Sequence, residues 1–114
     1  MQRWSIYRAN LDPTIGSEQG KTRPVLVISE DAINNVLNCV NILPITSFKA
    51  GRKIYPNEVL VNSGIGGLAA TSIILGHQIR TIDKLRLSYC YGEIKDTVLQ
   101  TQIIEALSFQ LGIN

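Results

Sequence analysis

GSEQGKTRPVLVI, residues 16–28, joins a polar loop punctuated by Gly16 and Gly20 to the apolar run Val25-Leu26-Val27-Ile28, with Arg23-Pro24 at the junction. Four aliphatic residues in a row, without polar alternation, read as a strand buried on both faces. The glycines allow backbone angles or close approaches that a Cβ would hinder. A flexible, charged loop is thus held against a rigid strand, with one guanidinium at its rim. Binding residues are often placed in this way.

The rest of the chain bounds what that loop can do. At 114 residues there is room for one domain and one core, burying roughly two-thirds of the unfolded surface. An apolar fraction of 45% and a charged fraction of 18% describe a globular protein and exclude a disordered tail. No apolar run approaches the roughly 18–20 residues of a membrane span. The N-terminal MQRWSIYRANLD lacks the apolar core of a signal peptide, so a cytoplasmic location is expected. Cys39 and Cys90 are isolated and read as small buried hydrophobes. His77 is the only histidine, which leaves no zinc cluster, and Asp83, Glu93 and Asp96 lack ligand spacing. No metal or cofactor is expected, and catalysis would fall to Arg, Lys, Thr, Ser or backbone donors. The net charge is only +2, but basic residues gather at Lys21/Arg23, at Lys49/Arg52/Lys53 and at Arg80/Lys84/Arg86. This points weakly to an anionic partner.

Along the chain, Trp4–Ala9 alternates as a first strand, Asp12-Pro13 opens a turn, and a second strand covers Pro24–Ser29. Glu30–Asn35 suits a short helix with acids at its positive end. A third strand spans Cys39–Ile45, with Pro44 expected near an edge or strand end. Thr46-Ser47 leaves it as a turn opener. Lys53–Val61 gives a fourth strand weakened by Pro56, Asn62–Gly67 a hairpin or bulge, and Thr71–Gly76 a fifth strand. Gln78–Leu87 continues with a helical turn near Asp83–Leu85, capped by Thr81 or Asp83. Ser88–Gly92 is a last strand. From Asp96, Leu99, Ile103, Leu107 and Leu111 recur at helical spacing behind a Thr97/Gln100 capping box, with Gly112 as the stop. Five or six short strands and one terminal helix predict a mainly β, antiparallel, partly closed barrel whose open edges favour self-association.

GSEQGKTRPVLVI, Pro44-Ile45-Thr46-Ser47 and QIRTIDKLRL (residues 78–87) together resemble the signature segments of the MazF/PemK toxins, in order and spacing. The resemblance covers nearly the whole chain as a single toxin domain, residues 1–114. It implies an SH3-like barrel, a homodimer, and metal-independent cleavage of single-stranded RNA at a short sequence. It also implies a cognate antitoxin whose tail occupies the same groove, with DNA reached only indirectly through that antitoxin. By this resemblance Arg23 and Thr46 are the catalytic pair, and Glu18, Gln19, Lys21, Ser47 and Gln78 bind RNA. Trp4, Thr71 and His77 depart from the family's pattern; the pair itself is intact.

RNA supplies its own nucleophile, the 2′-OH, so such an enzyme must position it, stabilise phosphorane-like charge and move two protons. Arginine's planar fork can hold two phosphate oxygens and a threonine hydroxyl can donate to the same oxygens. A free guanidinium is a poor proton acceptor near neutrality, so Arg23 reads as charge stabiliser and the general base stays open. Glu18 is the nearest carboxylate in sequence, as a base or as an orienting partner of Arg23. His77 reads as structural or groove-lining, with base duty as the lesser alternative; Arg80 and Arg86 read as structural, pairing with Asp83 included, with phosphate binding as the alternative. Phe48 and Tyr55 are the aromatic stacking candidates. Two rivals fit the same barrel: a toxin that poisons DNA gyrase by binding, and a non-catalytic RNA-binding module. Gyrase binders use an aromatic near the C-terminus, and the tail Gln110–Asn114 has none.

Overall fold

The computed structural model describes residues 1–113; Asn114, the last residue of the tail just considered, lies outside them. Seven strands follow in the order β1 (Ser5–Asn10), β2 (Thr22–Val27), β3 (Cys39–Ser47), β4 (Glu58–Val61), β5 (Ser72–Leu75), β6 (Arg80–Asp83) and β7 (Leu87–Glu93). Helix α1 (Asp31–Asn34) sits between β2 and β3, and α2 (Thr97–Leu111) ends the fold. Every pairing is antiparallel, in the spatial order β4-β5-β3-β2-β1-β7, with β6 also on β3. The 3₁₀ turn Ile65–Gly67 after β4 reaches β7 at the far end of this order, where a Cβ on Gly67 would strike the Tyr91 carbonyl. That contact draws the sheet's two ends together into a small barrel. Among the described residues, no helix is long and apolar enough to cross a membrane.

The strand of the opening stretch is buried on both faces, as its composition predicts. Leu26 and Ile28 enter a main core with Ile6, Leu43, Ile45 and Ile74, which α2 covers with Leu99, Ile103 and Ala106. Val25 and Val27 point the other way, into a second cluster with Ala9, Leu11, Val40, Ile42 and Ile82. Truncating Leu26, fully buried, would cost about 2–5 kcal/mol by lost burial and a residual cavity.

The predicted elements are present, with corrections at their joints. β3 does not stop at Ile45. On one edge it pairs with β6 through Cys39–Ile42 and then with β5 through Ile45–Ser47, so Thr46 and Ser47 remain in the strand. β6 itself escapes the sequence reading, because Arg80-Thr81-Ile82-Asp83 carries a single core residue, Ile82. β5 and β6 run as one interrupted strand, broken by the 3₁₀ turn Gly76–Gln78. Pro44 lies in the middle of β3 rather than near an end, opposite that break, where no β5 or β6 residue needs its missing N–H. β4 begins only at Glu58, after Pro56. In α2 the N-cap is Asp96, which accepts from the Val98 N–H at 3.0 Å, while Gln100 donates to the Ile94 carbonyl instead of closing a box with Thr97. Asp83 caps the turn after β6, as expected. The cysteines are not buried: Cys39 is half-buried, and Cys90 is exposed on edge strand β7.

Candidate active site

β2 and β3 are paired only as far as Val25 and Pro44. The same register carried onward sets Pro24 across from Ile45 and Arg23 across from Thr46. There the strands separate, because β2 stays with β1 (Ala9 opposite Arg23) while β3 follows β5 (Thr46 opposite Ile73). The gap is a cleft of about 390 Å³ lined by Thr22, Arg23, Pro24, Ile45, Thr46, Ser47, Lys49 and Ser72. It brings together Arg23, Thr46 and Ser47 from the sequence reading and adds Lys49 and Ser72. The signal for Lys49 was its place three residues beyond Thr46. Ser72 shows only through the β3–β5 pairing.

The loop before β2 is built by its own polar groups. Its base closes through Leu11 N–H on the Lys21 carbonyl (2.9 Å) and Lys21 N–H on Asp12 Oδ1 (2.9 Å). Lys21 holds a left-handed φ of 65° there, a conformation that costs a non-glycine residue roughly 1–2 kcal/mol. Gly20 lets the loop lie close to the Asp12 and Thr14 side chains, since a Cβ would fall 2.6 Å from Asp12 Oδ1 and 2.7 Å from Thr14 Oγ1 and those side chains would have to move. At the tip, Glu18 Oε1 accepts from the Ile15 N–H at 2.6 Å. Its carboxylate therefore closes the loop and makes no ion pair with Arg23. Arg23 instead donates from Nε to the Gly20 carbonyl at 2.7 Å. Gln78, on the turn between β5 and β6, accepts from the Gln19 N–H at 3.0 Å and donates to the Ser17 carbonyl at 3.1 Å.

Most of the remaining basic residues are engaged elsewhere. Arg80 donates to the Leu11 carbonyl, and Arg86 to the carbonyls of Asn10 and Asp12, so both brace the start of the loop. Lys84 donates to the Asn34 carbonyl. Arg52 forms a bidentate pair with Glu58, at 3.0 and 2.8 Å. Hydrogen bonding from Arg52 holds the Glu58 carboxyl below the usual carboxylate range against the opposing effect of burial, and the Arg52 guanidinium is raised in turn. His77 and Tyr55 line this second hollow with Arg52, Glu58 and Phe109; neither lines the Arg23 cleft. The cleft contains no carboxylate and no imidazole, so its chemistry is that of one guanidinium, one ammonium and several hydroxyls.

Set beside known proteins, residues 2–111 match the family described as PemK-like, MazF-like toxin of type II toxin–antitoxin system. Endoribonuclease EndoA of Bacillus subtilis (strain 168) is 36% identical over 113 residues, covering 99% of this chain and 96% of that protein. MazF of Deinococcus radiodurans superposes with a TM-score of 0.82 at 27% identity, over 99% of this chain and 97% of that one. A chain of a MazE–MazF structure from the same organism superposes with a TM-score of 0.74 at 27% identity, over 100% of this chain and 97% of that one.

Proposed function

The chain belongs to the PemK-like, MazF-like toxins of type II toxin–antitoxin systems, and from that premise we propose that it is an endoribonuclease cutting single-stranded RNA in the Arg23–Thr46 cleft. The observation that carries this reading is the composition of the cleft: an arginine, a lysine and hydroxyls converge with no acid to neutralise them. In the reaction the 2′-oxygen bonds to phosphorus and the bond to the next nucleotide's 5′-oxygen breaks. The products are a 2′,3′-cyclic phosphate and a 5′-hydroxyl. Arg23, tethered through Nε, offers its outer N–H groups to the non-bridging phosphate oxygens, where negative charge grows. Thr46 donates its hydroxyl to the same oxygens, with Ser47 beside it. Lys49 and Lys21 attract the strand. With no carboxylate or imidazole lining the cleft, the 2′-OH gives its proton to water at the open mouth, and the leaving 5′-oxygen takes a proton from water beside the guanidinium.

Purified protein is expected to cut unstructured RNA with EDTA present, leaving cyclic-phosphate ends, and Arg23→Ala is expected to stop cutting without unfolding the chain. Intact RNA after prolonged incubation with the unaltered protein would sink the proposal. The biological setting follows the same reading: a cytoplasmic homodimer that meets RNA when released from a cognate antitoxin. The MazE–MazF relative supports its antitoxin part.

A further inference from the structure

Among the described residues, Gln78 is the one side chain outside the loop and its flanking strands that hydrogen-bonds to the loop's tip, and it does so at two points. Its Oε1 accepts from the Gln19 N–H and its Nε2 donates to the Ser17 carbonyl, across 59 and 61 residues of sequence. The next residue of the loop, Gly20, accepts from Arg23 Nε. A continuous chain of contacts therefore runs from Gln78 through Ser17–Gln19 and the Gly20 carbonyl to the guanidinium. Gln78 itself is held by the break between β5 and β6. That break is fixed by Gly76, whose N–H donates to the Asn57 carbonyl at 3.0 Å and where a Cβ would lie 2.5 Å from the same oxygen.

We propose that Gln78 is a positioning residue: a two-point latch that holds the Ser17–Gly20 backbone, and through it the guanidinium of Arg23, in the geometry used for phosphate binding. With both ends of its carboxamide engaged, Gln78 acts on Arg23 through the loop rather than by touching RNA. The link to Arg23 rests on the endoribonuclease reading; the latch itself does not.

Two measurements on the full chain test this. The first is amide hydrogen exchange at Gln19, compared between the unaltered protein and Gln78→Ala; exchange is expected to quicken at least about tenfold once the acceptor is gone. The second is steady-state cleavage of an RNA oligonucleotide spanning a site mapped by end sequencing. There kcat is expected to fall about 10- to 100-fold, the scale of a small misplacement of a catalytic group, with KM changed less than about threefold. Gln78→Glu keeps the acceptor for Gln19 but loses the donor to Ser17, and should fall between the two on both readouts. It also carries the test if Gln78→Ala does not fold. Unchanged Gln19 exchange overturns the latch. Faster exchange with unaltered kcat overturns the link to Arg23, as does a loss confined to KM, which would mark a direct RNA contact. If the unaltered protein cuts no RNA, the endoribonuclease reading falls and the exchange measurement alone decides the latch.

Discussion

Arg23 and Arg52 sit in hollows on the same small barrel, and they have opposite surroundings. Arg52 meets a glutamate whose side chain is only 3% exposed, through two parallel hydrogen bonds, and that glutamate also accepts from the Tyr55 N–H. Its charge is neutralised in place, and the hollow around it is structural. Arg23 meets only a backbone carbonyl, through Nε, which leaves the N–H groups of both terminal nitrogens without a protein partner among the described residues. Its charge is balanced by no acid, and hydroxyls surround it. The same residue type thus ties down a loop in one place and keeps an unneutralised charge in the other, as the proposed phosphate-binding role requires. The partner decides which, and sequence composition cannot see the partner.

Substitutions that confuse the two roles would break this contrast. Arg23→Ala should lower cleavage about 100- to 1,000-fold, the usual effect of removing a preorganised charge donor, while thermal unfolding stays within a few degrees of the unaltered protein. Retained cleavage in a gel assay would place the chemistry elsewhere. Thr46→Val, nearly isosteric, should cost about 100-fold in rate by the same argument. Arg52→Ala should do the reverse, leaving the rate per folded molecule intact and destabilising the fold by about 2–3 kcal/mol in urea titration. This is less than the 3–5 kcal/mol typical of breaking a buried pair, because Arg52 is a third exposed.

The Glu58 carboxyl is depressed in the fold. Its stabilisation is therefore complete above the unfolded carboxylate range, about pH 4, and is lost as pH falls through the lower, folded value. Glu58→Gln should flatten the acid limb of the stability curve below about pH 4; an unchanged limb would assign acid unfolding to other carboxylates. The smallest effect is expected for Lys49→Ala, a two- to fivefold weaker RNA affinity at low salt that fades at higher ionic strength. A loss independent of salt would mean a direct role at the phosphate.

Much of the fold was legible because burial writes itself in aliphatic runs. Val25–Ile28, the Ile73–Leu75 segment of β5 and the Leu99–Ile103 part of the helical spacing of α2 each declared their place, whereas Leu111 at the end of that spacing is exposed. β6 did not, since one isoleucine among polar neighbours carries no period, and its strand state is imposed by the open edge of β3. Thr46-Ser47 looked like a turn for a related reason: only the exchange of β6 for β5 keeps it extended. Of the site, the residue types and the family's pairing of Arg23 with Thr46 could be read in advance. The cleft that brings them together depends on two strands parting, which is a long-range event. Glu18 was a candidate partner of Arg23 by proximity in sequence, but proximity in a loop favours the loop's own amides, and its carboxylate turned inward. Arg80 and Arg86, read as structural although part of a basic cluster, do brace backbone carbonyls.

The long spans bridged by the loop's anchors bear on how the protein is made. Besides its own local hydrogen bonds, Asn10–Gln19 is braced by side chains of Gln78, Arg80 and Arg86, between 59 and 76 residues downstream. During synthesis, Arg23 and Thr46 emerge well before any of these, so a growing or truncated chain can possess both walls of the proposed cleft and still lack the anchors of its loop. Contacts so distant in sequence form late, after the loop-closure entropy has been overcome. A chain that ends before Gln78 therefore lacks the side chains that brace this loop from outside.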